Sequence, residues 1–191
     1  QDYWINRSKR VMQDVHNSLE EKNIILLQGY KKALKDVKIE IYELYEKMNH
    51  SNISLSESYK FNRLQIVQKR LEKIIKELGG KEQDFFNINL EQNYIKASEE
   101  VGKTLDEKLG IKFYEMDRKT IDKALTYPWS GADYSSRIWK NKDKLLKQLN
   151  ETLVRGLVQG TKASTVAKEI AKNMNVGASE ALRLVRTENA H

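Results

Sequence analysis

Residues 128–141 of the chain read PWSGADYSSRIWKN and introduce the amphipathic region around which we predict the C-terminal third to fold. This stretch holds the only proline of the sequence and two of its three tryptophans. Because a proline keeps the residue before it out of the helical region, a preceding helix must end before Pro128. Asp133 is a typical N-cap residue, since its carboxylate can accept backbone N–H groups of a first helical turn. We therefore predict that a helix begins at Tyr134.

The predicted helix after Tyr134 is amphipathic and leads into two further helices. Its leucines recur at spacings of three and four, which places them on one face. We expect Gly160 to end it. The next helix should end in a turn at Gly177, and a last helix should start at Ser179. With a short helix over 118–125, these make a compact three-helix unit whose lysines mostly face solvent.

The first 110 residues show the same helical spacing over a much greater length. An apolar stripe from Met12 to Met48 predicts a helix over 3–48, about 70 Å long at about 1.5 Å per residue. A second helix should end at Gly79-Gly80, and a third should follow to Leu109. Helices this long need partner helices along their length, so we predict an antiparallel, coiled-coil-like stalk.

The predicted fold is therefore all-α and elongated, with two parts. Residues 1–110 form the long-helix stalk, and residues 118–191 form the C-terminal helical domain. The connection at 111–117 (IKFYEMD) reads either as a short strand or as an extended linker. The chain stops inside a predicted helix, so we expect its C-terminal domain to be truncated.

The composition argues against several kinds of site. The chain has no cysteine, which excludes disulfides and thiolate metal ligands. Its three histidines stand apart, without the i, i+4 partners of a zinc site, so we predict no metal and no cofactor. No apolar run is long enough to span a membrane, and we predict no membrane partner.

The positive charge is concentrated in the C-terminal third. Residues 119–191 hold 13 Lys and Arg against 7 Asp and Glu, within a chain of net charge +7. Such an excess favours a polyanion or an acidic protein as partner, although a solvated lysine-rich surface would look the same. Nonspecific contacts to DNA phosphates would then fall to Lys140, Lys142, Lys144, Lys147 and Arg155.

We find no catalytic constellation in the sequence. Arg186 and Glu188 are two residues apart and do not share a helix face, so they make a poor catalytic pair and are better interpreted as anchors to neighbouring helices. Trp129 and Trp139 could stack on bases or hold the loop against the core. We favour the core role for Trp139, and we predict that the protein is not an enzyme.

An ordered series of segments over Pro128–Glu188 resembles a known protein family. The segments are PW, SSRIWKNKDKLLKQLNETLVRGLVQG, AKEIAKNMNV and RLVRTE. They resemble the minor head proteins of tailed bacteriophages, also called phage head morphogenesis or Mu F-like proteins. Tyr3-Trp4 with Arg7 is similar to the start of such proteins in phages of Gram-positive hosts. The family's motif residues carry over as Trp129, Arg137, Trp139, Arg186, Thr187 and Glu188.

The resemblance implies a virion component made in the bacterial cytoplasm and located inside the procapsid. Such proteins act at the portal vertex in assembly and DNA delivery, and some bind double-stranded DNA without sequence preference. The implied partners are the portal, capsid or scaffold proteins and DNA, with self-association through the long helix as a further possibility. Many relatives continue past the Arg-Thr-Glu segment, some into an ADP-ribosyltransferase. Two alternatives therefore stay open: a nonspecific DNA-binding protein, and the helical targeting portion of a toxin or enzyme.

Overall fold

The computed structural model describes residues 2–49, 57–109, 118–127 and 132–189, and these form helices and no strands. The all-α prediction is confirmed. The predicted helix over 3–48 and the short helix before Pro128 are both present. The predicted connection at 111–117, strand or linker, lies outside the described residues, as does Pro128. The five helices are α1 (Asp2–Asn49), α2 (Glu57–Leu109), α3 (Arg118–Thr126), α4 (Tyr134–Val158) and α5 (Ala163–Asn189).

Four of the helices pack side by side as a bundle. α1 and α2 run antiparallel: Arg70 of α2 pairs with Glu40 of α1, whereas Lys22 reaches Gln92. α4 and α5 form a second antiparallel pair. α2 packs on α4 and α1 packs on α5, which closes the ring of four, while the short α3 lies against α2.

One hydrophobic cluster runs through the whole bundle. It takes fully buried residues from every long helix, including Ile41 of α1, Phe86 of α2, Leu149 of α4 and Ile170 of α5. The division into a stalk and a C-terminal domain stays a prediction, but buried residues on both sides of that boundary pack into the same cluster. The C-terminal helices thus supply the partner surface that α1 requires.

The prediction that Gly79-Gly80 ends a helix is wrong, because α2 continues through both glycines. Gly79 lies where α2 approaches α4 closely. A Cβ atom there would stand 2.8 Å from Cζ3 of Trp139 and 3.1 Å from Cγ of Lys142. Gly79, which we expected to end α2, therefore leaves the space that allows α4 to pack against α2.

The turn predicted at Gly177 is wrong for the same reason. α5 runs unbroken from Ala163 to Asn189, and a Cβ on Gly177 would lie 3.2 Å from Cδ2 of Leu145 and 3.4 Å from Cε1 of Tyr30. Gly160 does end the preceding helical segment as predicted. Its φ of 64° lies in the left-handed region that only glycine adopts readily.

The start of α4 confirms the predicted cap. Asp133 has an extended backbone, and its Oδ1 accepts the backbone N–H of Ser136 at 2.8 Å. The hydroxyl of Ser136 donates to the other carboxylate oxygen at 2.8 Å. These hydrogen bonds hold the pKa of Asp133 below its usual value, because they favour the charged carboxylate. The first residue of α4 is therefore set by local side-chain chemistry.

Gly79→Ala is expected to destabilise the protein relative to Gly80→Ala by about 1–3 kcal/mol, the usual cost of overpacking. The neighbouring Gly80 is a matched control, because a Cβ there would meet no atom within 4 Å. Alanine at position 80 should instead stabilise α2 by up to about 1 kcal/mol through helix propensity. Urea unfolding of the two variants measures the difference, and equal stabilities would contradict the close approach of α2 and α4.

Candidate functional site

The most unusual group of side chains in the structure is a buried polar cluster of Tyr30, Glu82 and Lys142, which joins α1, α2 and α4. The Nζ of Lys142 lies 2.6 Å from Oε2 of Glu82, and the two side chains are 3% and 0% exposed. Tyr30 donates its hydroxyl hydrogen to the same carboxylate oxygen at 2.9 Å. Lys142 also donates to the hydroxyl oxygen of Tyr30, and its Nζ stands 4.8 Å from the centre of that ring.

Burial changes the titration of two members of this cluster. It lowers the pKa of Lys142, because the charged ammonium loses its hydration, while the charge of Glu82 opposes that shift. Burial also raises the pKa of Tyr30 well above its usual value, with the negative charges of Glu82 and Glu180 adding to the effect. The Tyr30 hydroxyl therefore keeps its proton at alkaline pH values at which an exposed tyrosine loses it.

The cluster lies in the interior of the bundle. Two surface grooves on the described residues lie along the outside of α1 and at Asn175–Arg183, and no described residue that lines them is a member of the cluster. Oε1 of Glu82 is also buried and has no hydrogen-bond partner among the described residues. Because its buried side chains bond to one another across α1, α2 and α4, we interpret the cluster as a structural connection between three helices.

The helical spacing of Lys142 and Glu82 indicates that both side chains point toward the core, although the net charge of the segment does not show this. Lys142 lies four residues after Ile138 and three before Leu145, both buried. Glu82 likewise lies midway between Leu78 and Phe86, which are also buried. Charged residues at apolar positions of two helices predict a buried ion pair, so the helical spacing contradicts the expectation that Lys142 faces solvent.

The Tyr30→Phe variant tests the raised pKa of this hydroxyl. Above pH 10 the unfolded chain loses the Tyr30 proton while the folded chain keeps it, so stability falls as pH rises. The wild type should therefore lose up to about 1.4 kcal/mol per pH unit relative to Tyr30→Phe between about pH 10.5 and 11.5. Urea unfolding across that range measures the slope. Parallel curves for the two proteins would show that the hydroxyl titrates normally.

The predicted phosphate contacts on α4 are mostly engaged within the protein. Lys142 is buried and cannot reach a phosphate at the surface, so its placement on a solvent-facing side was wrong. Lys144 lies 2.5 Å from Glu180, and Arg155 pairs with Glu169 of α5. Lys147 lies 3.9 Å from Glu151, one turn further along α4, and Lys140 is exposed.

The motif residues that we carried over make contacts between helices. Nε and Nη2 of Arg186 on α5 donate to the two carboxylate oxygens of Glu20 on α1, at 2.9 and 3.3 Å. Glu188 lies 3.7 Å from Arg137 of α4. Arg186 and Glu188 thus have contacts of the kind that helix anchors require.

Two other motif side chains have local roles. Thr187 donates its hydroxyl to the backbone carbonyl of Arg183, one turn earlier in α5. One edge of the Trp139 ring packs over Gly79 at the approach of α2 and α4, but the side chain is 37% exposed, so Trp139 covers the edge of the core and is not buried within it. Trp129 lies outside the described residues.

Two searches of the described residues give negative results. No group of three or more His, Asp or Glu side chains in that part of the chain is arranged to hold a metal ion. Among the helices that the structure describes, none is long and apolar enough to cross a membrane. Comparison of the chain with models of known protein families, with curated proteins and with solved structures yields no match.

Proposed function

We propose that the chain is a non-enzymatic minor head protein of a tailed bacteriophage, which binds the portal or another head protein inside the procapsid during assembly and DNA delivery. The proposal starts from the ordered motif series over Pro128–Glu188. The structural observation that supports it best is that residues of this series connect helices. Arg137 and Glu188 link α4 to α5, and Arg186 links α5 to α1. The motif thus maintains a helical framework, as a binding protein requires.

The contacts of the basic residues of α4 count against the DNA-binding surface predicted on that helix. Of the five basic side chains predicted to touch phosphates, Lys142 is buried, and Lys144, Lys147 and Arg155 lie near carboxylates. A DNA-binding surface instead presents cations that are free to replace the counterions of the phosphates. We therefore rank nonspecific DNA binding second.

Co-expression with the portal protein encoded nearest to this chain tests the proposal. A tagged chain should retain the portal protein in a pull-down at moderate salt, and the two should elute together on a sizing column. The matched control is the same chain with the unrelated portal protein of another phage. Absence of a complex, together with salt-sensitive binding to duplex DNA, would contradict the proposal and favour the DNA-binding alternative.

A further inference from the structure

The outer face of α1, which we define by Ile24, Lys31, Lys35, Ile39 and Tyr42, is an exposed surface of mixed chemistry. These residues follow one another at spacings of 7, 4, 4 and 3, so they form a single stripe along the helix. Ile24, Ile39 and Tyr42 are 56%, 46% and 47% exposed, although their side chains are apolar or aromatic. The stripe covers about 27 Å at about 1.5 Å per residue.

Lysines dominate the charge of this face. Lys31, Lys32, Lys35 and Lys38 lie on or beside it, and none of these four forms a salt bridge within the described part of the chain. The carboxylate of Glu40 pairs with Arg70 of α2, and Asp36, next to Lys35, is the acidic residue of α1 closest in sequence to these lysines. The outer face of α1 therefore carries an excess of positive charge, four lysines with Asp36 beside them, and no ion pair within the described residues engages those lysines.

The same face borders an open space. An open groove of about 740 Å³ lies along it, and the described residues that line the groove all belong to α1. Leu34, Ile39 and Tyr42 supply its apolar lining, and the four lysines surround them. Apolar side chains flanked by charges of one sign are typical of a surface that binds an amphipathic segment of opposite charge.

We propose that the outer face of α1 binds an acidic amphipathic helix of a partner protein. Carboxylates on that helix would pair with Lys31, Lys35 and Lys38, and its apolar side chains would cover Ile39 and Tyr42. The apolar stripe argues against nucleic acid, which would contact the lysines and leave the isoleucines exposed to water. This inference takes from the proposed function only that the chain has a protein partner. It adds which surface of the chain makes the contact and what kind of segment the partner presents.

The test uses a fluorescent 18-residue peptide with leucines at positions i, i+4 and i+7 and glutamates between them, titrated with the full chain and followed by anisotropy. The triple variant Lys31→Gln, Lys35→Gln, Lys38→Gln should weaken binding about tenfold, as expected for the loss of three exposed ion pairs. The double variant Ile39→Ala, Tyr42→Ala should weaken it about fivefold through lost apolar contact.

Two controls separate this binding from general attraction to a basic protein. The triple variant Lys162→Gln, Lys168→Gln, Lys172→Gln removes the same charge from exposed positions near and on α5, and it should change the affinity less than twofold. A scrambled peptide of the same composition should bind at least fivefold more weakly.

Three outcomes would overturn the inference: no binding of the peptide to the wild type, equal losses for the two lysine sets, or retention of full affinity in Ile39→Ala, Tyr42→Ala. Duplex DNA that binds the wild type and loses affinity in the Lys31, Lys35 and Lys38 variant, with no peptide binding, would assign the face to nucleic acid. Failure of the portal pull-down with peptide binding intact would reject the proposed function and leave the binding face in place.

Discussion

Glu82→Ala is expected to cost about 3–5 kcal/mol of unfolding free energy, because it leaves the buried ammonium of Lys142 without its counter-charge. The carboxylate is fully enclosed and accepts hydrogen bonds from both Lys142 and Tyr30. Glu72→Ala is a matched control on the same helix, since Glu72 pairs with Lys76 at 2.6 Å in an exposed i, i+4 contact. That exposed pair is screened by water, so its loss should have only a small effect. Equilibrium unfolding in urea measures both.

Replacing both charges should recover much of the lost stability. The double variant Glu82→Leu, Lys142→Met keeps the volume of the cluster and removes the buried charges together, a change that is often neutral or stabilising in other proteins. We therefore expect the double variant to be more stable than either Glu82→Leu or Lys142→Met alone. That outcome requires a coupling in the double-mutant cycle larger than the cost of losing one partner, which is about 3–5 kcal/mol. Additive effects would show that Glu82 and Lys142 do not interact in the folded protein.

Phe86→Ala is expected to destabilise the protein by about 3–5 kcal/mol, the cost of emptying a large aromatic site in a packed core. Phe86 lies in the hydrophobic cluster, and its ring stacks on Tyr134 with 5.6 Å between the ring centres. Tyr134 in turn donates its hydroxyl to Asn87 at 2.6 Å. The loss of this ring would therefore weaken the attachment of the start of α4 to α2.

Phe61 offers the comparison within the same helix. It is 59% exposed, so Phe61→Ala should change the stability by no more than about 0.5 kcal/mol. Thermal and urea unfolding of the two variants would give the contrast. Equal losses of unfolding free energy for Phe86→Ala and Phe61→Ala would contradict the burial of Phe86 between α2 and α4.

Local chemistry made much of the fold predictable from the sequence. The Asp133 cap, the helix end at Gly160 and the apolar stripe of α1 from Leu26 to Leu44 depend on neighbours within a few residues, and each was found where the sequence predicted it. The part of the predicted stripe at Met12, Val15 and Leu19 lies outside the side chains that the structure describes. The interior glycines were different. In a sequence, a glycine that ends a helix cannot be distinguished from a glycine at which two helices approach closely. The second kind is explained only by the neighbouring helix, which the local sequence does not reveal.

The buried cluster was missed for a related reason. Lys142 is one of several lysines in its segment, and composition placed all of them at the surface. Its spacing from Ile138 and Leu145 pointed inward, but the partner that makes burial tolerable, Glu82, lies 60 residues earlier in the chain. The two residues meet only through the tertiary fold. Helical periodicity could therefore indicate that Lys142 points inward, but it could not identify the carboxylate that neutralises the charge of Lys142.

The central claim is that residues on both sides of the predicted domain boundary form one cooperative bundle around a shared core. A variant with Trp4→Phe and Trp129→Phe leaves Trp139 as the only tryptophan, at the approach of α2 and α4. Its fluorescence in urea should be compared with far-ultraviolet circular dichroism, whose signal comes largely from the 48 residues of α1 and the 53 of α2. Coincident single transitions are the predicted result. Loss of the Trp139 signal at lower urea than the helical signal would contradict the claim, because the C-terminal helices would then unfold apart from the long-helix pair.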